Sequence, residues 1–265
     1  VTTTVRIQTD SESLYVLLHG EGRAMLFVHG FPLDHTQWMY QVEGLEGWRV
    51  IAPDLRGAGS STVPQVGYSM PRYADDLIAV LDSLGVSQAV CCGFSMGGYV
   101  LFDLWRRHPE RIRALILCDT KAEADTPDGR RGRDELADLA AREGMGPVVE
   151  QLLPKLLGRT TQQERPALMS LVREMMQRAP VAGTIGALRA MRDRRDASSL
   201  LGGIRVPTLV VCGAEDVLTP PAVMQPLAQR IRGARYVEIP HAGHLSPLEQ
   251  PDGVTRAIVE FLGTV

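Results

Sequence analysis

A short, nearly continuous apolar run recurs along the chain: AMLFVHG at 24–30, WRVIAPD at 48–54, QAVCCGF at 88–94, RALILCD at 113–119, PTLVVCGAED at 207–216 and ARYVEIP at 234–240. A strand with one wet face alternates polar and apolar residues. These runs do not alternate, so both faces must be covered, as in a parallel sheet flanked by helices. Helical patterns fill the gaps. SMPRYADDLIAVLDSLG spaces Leu77, Leu81 and Leu84 three or four apart and ends at Gly85; a second pattern runs from Ser95 to Arg107 and stops before Pro109. A third, near 219–232, starts with Thr219 as expected N-cap and proline early in the helix, and LEQPDGVTRAIVEFLG closes the chain. TTVRIQT and SLYVLLH alternate around a turn-like Asp10-Ser11-Glu12 and predict an N-terminal antiparallel hairpin. Strands alternating with helices predict an α/β fold, a mostly parallel central sheet with helices on both faces and right-handed crossovers.

One stretch interrupts this rhythm. From about Lys121 to Gly203 no strand pattern appears, and helices are expected around 133–143, 146–157, 161–178 and 181–194. The reading is a core domain built from 1–120 and 204–265, with 121–203 inserted as a helical cap. A chain of 265 residues has room for both.

Composition removes several functional classes. Apolar residues at 45% and charged residues at 22% fit a globular domain, and a net charge of −3 carries no signature for nucleic acid. Clusters at Arg130, Arg131 and Arg133, and at Arg192, Arg194 and Arg195, are diluted by Asp128, Asp134, Asp193 and Asp196 and read as solvated faces. Cys91, Cys92, Cys118 and Cys212 lie in apolar runs, where reduced cysteine behaves as a small hydrophobe; no metal-ligand spacing accompanies them. The N-terminus lacks basic and apolar leader regions, and no apolar run approaches the ~18 residues of a membrane span. A cytoplasmic protein without membrane attachment is the expectation, with monomer and small homo-oligomer both open.

GFSMGG at 93–98 carries the chemistry. Its setting is strand, G-x-S-x-G, helix. Gly93 and Gly97 let the chain reverse sharply, so that Ser95 projects from the C-terminal edge of the sheet and the Met96 amide opens a helix facing any developing oxyanion. The motif alone is common in a chain with 26 glycines, and an ordinary Gly-rich turn explains it equally well. Partners in the required order tip the balance. Asp216 stands just past an apolar run and His244 in the loop after the last one, which gives the order Ser, acid, His at strand C-terminal ends. Glu215 competes with Asp216 and His241 with His244; both rivals are disfavoured, and His19, His35 and His108 read as surface or structural. VHGFP at 28–32 ends another strand, and the Phe31 amide is the expected second oxyanion donor.

Together HGFPLDHTQW, PDLRGAGSS, GFSMGG, DVLTPP and AGHLSPLEQP resemble the landmarks of the α/β-hydrolase superfamily, in its order and over essentially the whole chain. The chain looks most like small capped bacterial carboxylesterases, and is similar to enol-lactonases, acyl-lactone hydrolases and cofactor-free perhydrolases. RGAGSS departs from the usual turn by placing Ala58 where relatives carry histidine, a position outside the triad. The resemblance implies a serine hydrolase acting on small, short- to medium-chain esters through an acyl-enzyme, with Ser95, Asp216 and His244 catalytic and the Phe31 and Met96 amides as oxyanion hole. It requires no metal or organic cofactor, and its partner is a small ester or lactone. Lactonase and perhydrolase chemistry on the same triad are the alternatives. A non-catalytic small-molecule receptor on the same fold is the rival from another class, and steady-state turnover of a nitrophenyl ester separates the two. Large apolar side chains of the insertion, among them Leu136, Leu139, Leu153, Leu156, Leu157, Met169, Met175, Met176 and Met191, are expected mostly to glue cap to core, with some lining the pocket.

Overall fold

The computed structural model describes residues 1–10 and 12–265. Strands β1 (Thr2–Gln8), β2 (Ser13–His19), β3 (Arg23–Val28), β4 (Trp48–Pro53), β5 (Ala89–Phe94), β6 (Ile112–Cys118), β7 (Thr208–Gly213) and β8 (Arg235–Ile239) form one sheet in the order β1-β2-β4-β3-β5-β6-β7-β8. β1 and β2 pair antiparallel, β2 pairs antiparallel with β4, and every later pairing is parallel. Ser11, in the turn expected between β1 and β2, lies outside the described residues.

Five of the six apolar runs are explained by the two faces they cover; the sixth, ARYVEIP, is instead the edge strand β8, with Arg235 and Glu238 exposed and only Ile239 fully buried. In β3, Leu26 and Val28 pack into one core while Met25 and Phe27 pack into the other; in β5, Ala89 and Cys91 face the first and Val90, Cys92 and Phe94 the second. Helices cover both faces: α1 (Met39–Glu43), α2 (Met70–Ser83), α3 (Met96–Arg107), α9 (Pro221–Gln229), α10 (Ser246–Glu249) and α11 (Pro251–Leu262). Between β6 and β7 come α4 (Pro127–Glu143), α5 (Met145–Leu156), α6 (Arg159–Glu164), α7 (Pro166–Gln177) and α8 (Val181–Arg192). α4 begins six residues before the expected 133 because Thr126 accepts from the Gly129 amide and Pro127 occupies the first turn. The single helix expected over 161–178 is broken at Arg165, since Pro166 cannot continue the ladder of α6 and instead starts α7.

Two expectations are corrected here. Thr219 does not cap α9, whose N-cap is Pro220; its hydroxyl is drawn to Asp216 instead. Arg194 is not solvated but 5% exposed, stacked over the Tyr99 ring and bonded to Asp125, Met191 O and Glu123 O. Its delocalised cation tolerates burial because a carboxylate and two carbonyls receive it. All four cysteines are free and buried. Among the described residues, no helix is long and apolar enough to cross a membrane.

Candidate active site

The parallel strands end on one edge, and that edge gathers the predicted site. Ser95 follows β5 with φ 49° and ψ −112°, a backbone conformation that L-residues avoid and that the surroundings must enforce. They do so by close approach. A Cβ on Gly97 would collide with the Val28 carbonyl oxygen, and one on Gly93 would lie 2.7 Å from the Gly97 carbonyl. The glycines of the motif are therefore needed for contact rather than for their own φ. The Ser95 amide donates to Cys118 O (2.9 Å), and its carbonyl accepts from Thr120 Oγ1 (2.8 Å).

Opposite the serine, His244 Nε2 lies 2.9 Å from Ser95 Oγ, and His244 Nδ1 lies 2.7 Å from Asp216 Oδ2. With the Nδ1 proton directed to the carboxylate, the Nε2 lone pair faces the serine hydroxyl. Asp216 and His244 are almost fully buried, and the imidazole leans on Phe94 with ring centroids 5.1 Å apart. Burial alone would raise the Asp216 carboxyl; the His244 ring and the Thr219 donors outweigh it and hold the group below its ordinary value. Leu218 N (2.7 Å), Thr219 N (3.0 Å) and Thr219 Oγ1 (2.6 Å) all donate to it.

The rivals go elsewhere. Glu215 turns toward the insertion and accepts from Thr160 N (2.8 Å) and Oγ1 (2.5 Å). His241 is exposed with φ 57°. His35 bonds Asp54, His19 bonds Thr2 and His108 lies beside Glu110.

Phe31 and Met96 both line a narrow cleft beside the serine turn. Neither amide donates to another described residue. The Phe31–Pro32 peptide is cis. The loop before it is fastened by His29, which the sequence reading passed over: buried, it accepts from Leu55 N at Nε2 (3.0 Å) and contacts Gly30 O at Nδ1 (2.9 Å). Desolvation lowers its pKa and keeps the ring neutral. The segment between β6 and β7 contributes Ala179, Gly183, Thr184 and Ala187 to the cleft wall. The large apolar side chains named from the sequence are absent from that wall; Leu136 and Leu139 instead border an open groove with Lys121 and Leu218.

A second buried carboxylate, also missed, stands behind the first. Asp119, φ 44°, accepts from Gly213 N (2.7 Å) and Ser246 Oγ (2.5 Å). It ties the strand leading to Asp216 to the residue pair after His244. Burial first, and the charge of Asp216 second, push its carboxyl well above the ordinary range. Asp119, Cys212 and Asp216 converge closely enough to ligate a metal, as do Asp34, His35 and Asp54. In the first group the carboxylate oxygens are occupied by hydrogen bonds from Gly213, Ser246, Thr219 and His244; in the second, Asp34 Oδ1 accepts from Thr36 and the two Asp54 oxygens from His35 and Ser60.

A family model described as the alpha/beta hydrolase fold matches residues 23–251. The chain belongs to the α/β-hydrolase family. This hydrolase is 32% identical over 262 residues to the AB hydrolase superfamily protein YisY of Bacillus subtilis (strain 168), covering 94% of this chain and 95% of that one. It superposes on a thermophilic esterase from Thermogutta terrifontis, solved with malate bound, at TM-score 0.95 and 40% identity, covering 99% and 98% of the two chains. The enol-lactonase from Burkholderia xenovorans LB400 gives TM-score 0.91 and 30% identity over 98% of this chain and 100% of the other. The hydrolase is thus related to bacterial esterases and enol-lactonases.

Proposed function

We propose that this hydrolase is a carboxylesterase for small, short- to medium-chain esters, with Ser95 as nucleophile, His244 as general base and then acid, and Asp216 as the group that orients the imidazole. The observation that carries the reading is the unbroken relay from Asp216 Oδ2 to His244 Nδ1 (2.7 Å) and from His244 Nε2 to Ser95 Oγ (2.9 Å). In the first step Ser95 Oγ attacks the ester carbonyl as His244 takes its proton; Asp216 stays ionised and stabilises the imidazolium. The Phe31 and Met96 amides, which have no protein partner among the described residues, are assigned to the oxyanion. His244 then protonates the leaving alcohol, and water attacks the acyl-enzyme by the reverse proton path. Residues 121–203 are read as a cap over a core of 1–120 and 204–265, and the narrow cleft between them favours small substrates. A lactone is the second reading, supported by the likeness to an enol-lactonase.

The test is a panel of nitrophenyl esters from acetyl to long acyl chains, run on the wild type and on Ser95→Ala. Turnover peaking at short to medium chains, and a loss of roughly 10⁴-fold or more in the variant, are expected. Retained turnover in Ser95→Ala would refute the nucleophile. A single equivalent of nitrophenol followed by silence would favour a receptor.

A further inference from the structure

The wall of the cleft is apolar except at His29, Arg56, Tyr73 and Thr184, and the first two are already committed. Arg56 gives Nε and Nη2 to the buried Asp76 carboxylate at 2.6 Å each and Nη1 to Gly67 O at 3.3 Å. His29 is held by Leu55 N and Gly30 O. The wall therefore offers no free cation to a carboxylate-bearing substrate.

Thr184, on α8, is different. It is 3% exposed, lines the cleft, and its Oγ1 is buried with no hydrogen-bond partner among the described residues. A threonine inside a helix usually relieves this by bonding the carbonyl one turn back. Here the Pro180 carbonyl receives the Thr184 amide at 2.8 Å, and no bond from the hydroxyl joins it. Burying a hydroxyl unpaired is unfavourable, and valine would fill the same volume without that cost. Tyr73 lines the same wall, and burial pushes its phenol up, so that it stays a neutral donor.

We infer that Thr184 is a specificity-determining residue whose hydroxyl recognises a neutral hydroxyl or keto oxygen on the arm of the substrate that enters the cleft, with Tyr73 on the same wall. This rests on the hydrolase reading above and narrows it to oxygenated esters or lactones rather than plain alkyl ones. A site built to pair a polar atom discriminates against the analogue lacking it, because its own group is then left unpaired.

Two substrate pairs test this, one varied in the acyl arm (nitrophenyl butyrate against nitrophenyl 3-hydroxybutyrate) and one in the alcohol arm (propyl butyrate against 2-hydroxyethyl butyrate). The wild type is expected to favour the hydroxylated member of one pair by about tenfold or more in kcat/KM. Thr184→Val should collapse that ratio and Thr184→Ser restore it; the pair that responds tells which arm occupies the cleft. Ratios near one in the wild type, or a Thr184→Val variant that lowers both members of each pair alike, would overturn the inference while leaving the hydrolase reading intact. A wild type silent on every ester, indistinguishable from Ser95→Ala, would instead bring down the hydrolase reading on which it stands.

Discussion

Thr219 shows what a single side chain adds to the relay. Its hydroxyl donates to Asp216 Oδ2, the same oxygen that faces His244 Nδ1, and its amide donates to Oδ1. The carboxylate is thus fixed in rotation before the imidazole meets it. Thr219→Val keeps the shape and the amide bond but removes the hydroxyl. Losing one hydrogen bond to a charged group is worth about 1.5 kcal/mol, and kcat is expected to fall about tenfold with KM little changed. A kcat equal to wild type would show that the backbone donors alone position Asp216. The convergence of Ser95, Asp216 and His244 was legible in the sequence because each stands at a fixed place relative to a strand end. Thr219, His29, Asp119 and Thr184 were not. Their partners lie in other segments, and nothing local to TPPAV or VAGTIG announces where a hydroxyl will point.

At the scale of elements, β3 to β7 were readable because burial on both faces leaves no polar alternation, β1 and β2 because they alternate, and the helix ends slipped wherever a cap or a proline decided them. Less readable was how α8 meets the turn after β4. Gly183 sits in the first turn of α8, where glycine weakens a helix, yet a Cβ there would collide with the Gly57 carbonyl oxygen. Gly57 in turn has φ +77°, and its own added Cβ would lie 2.6 Å from the Tyr68 ring and 2.9 Å from Gly183 Cα. Two backbones touch here because neither carries a side chain, and both glycines line the cleft next to Ala58 and Thr184. Gly183→Ala must push α8 outward. A destabilisation of about 1–3 kcal/mol is expected, seen as a melting temperature lower by several degrees and a raised KM for small esters. An unchanged melting temperature and unchanged KM would mean that the helix accommodates the methyl without moving.

For the molecule as a whole, five buried carboxyls divide into two groups whose pH effects oppose each other. Burial would raise Asp54, Asp125 and Asp216, but His35, the pair Arg133 and Arg194, and His244 respectively outweigh it and hold them low. A carboxyl lowered in the folded state stabilises above its unfolded value near ~4, and that contribution is lost as pH falls through the folded value. Asp119 and Glu249 lie on the other side: burial dominates and raises both, although each accepts hydrogen bonds, Glu249 from Gly158 N and Gly243 N. The folded state then keeps protons that the unfolded chain releases, so stability falls as pH rises from about 4 toward the folded values. Asp119→Asn retains an acceptor for Gly213 N and no longer titrates. Its unfolding free energy relative to wild type should therefore grow as pH rises from 5 to 8. Urea midpoints at the two pH values measure it. Parallel stability profiles for the two proteins would mean that Asp119 titrates normally and that its bonds to Gly213 and Ser246 hold an ionised group.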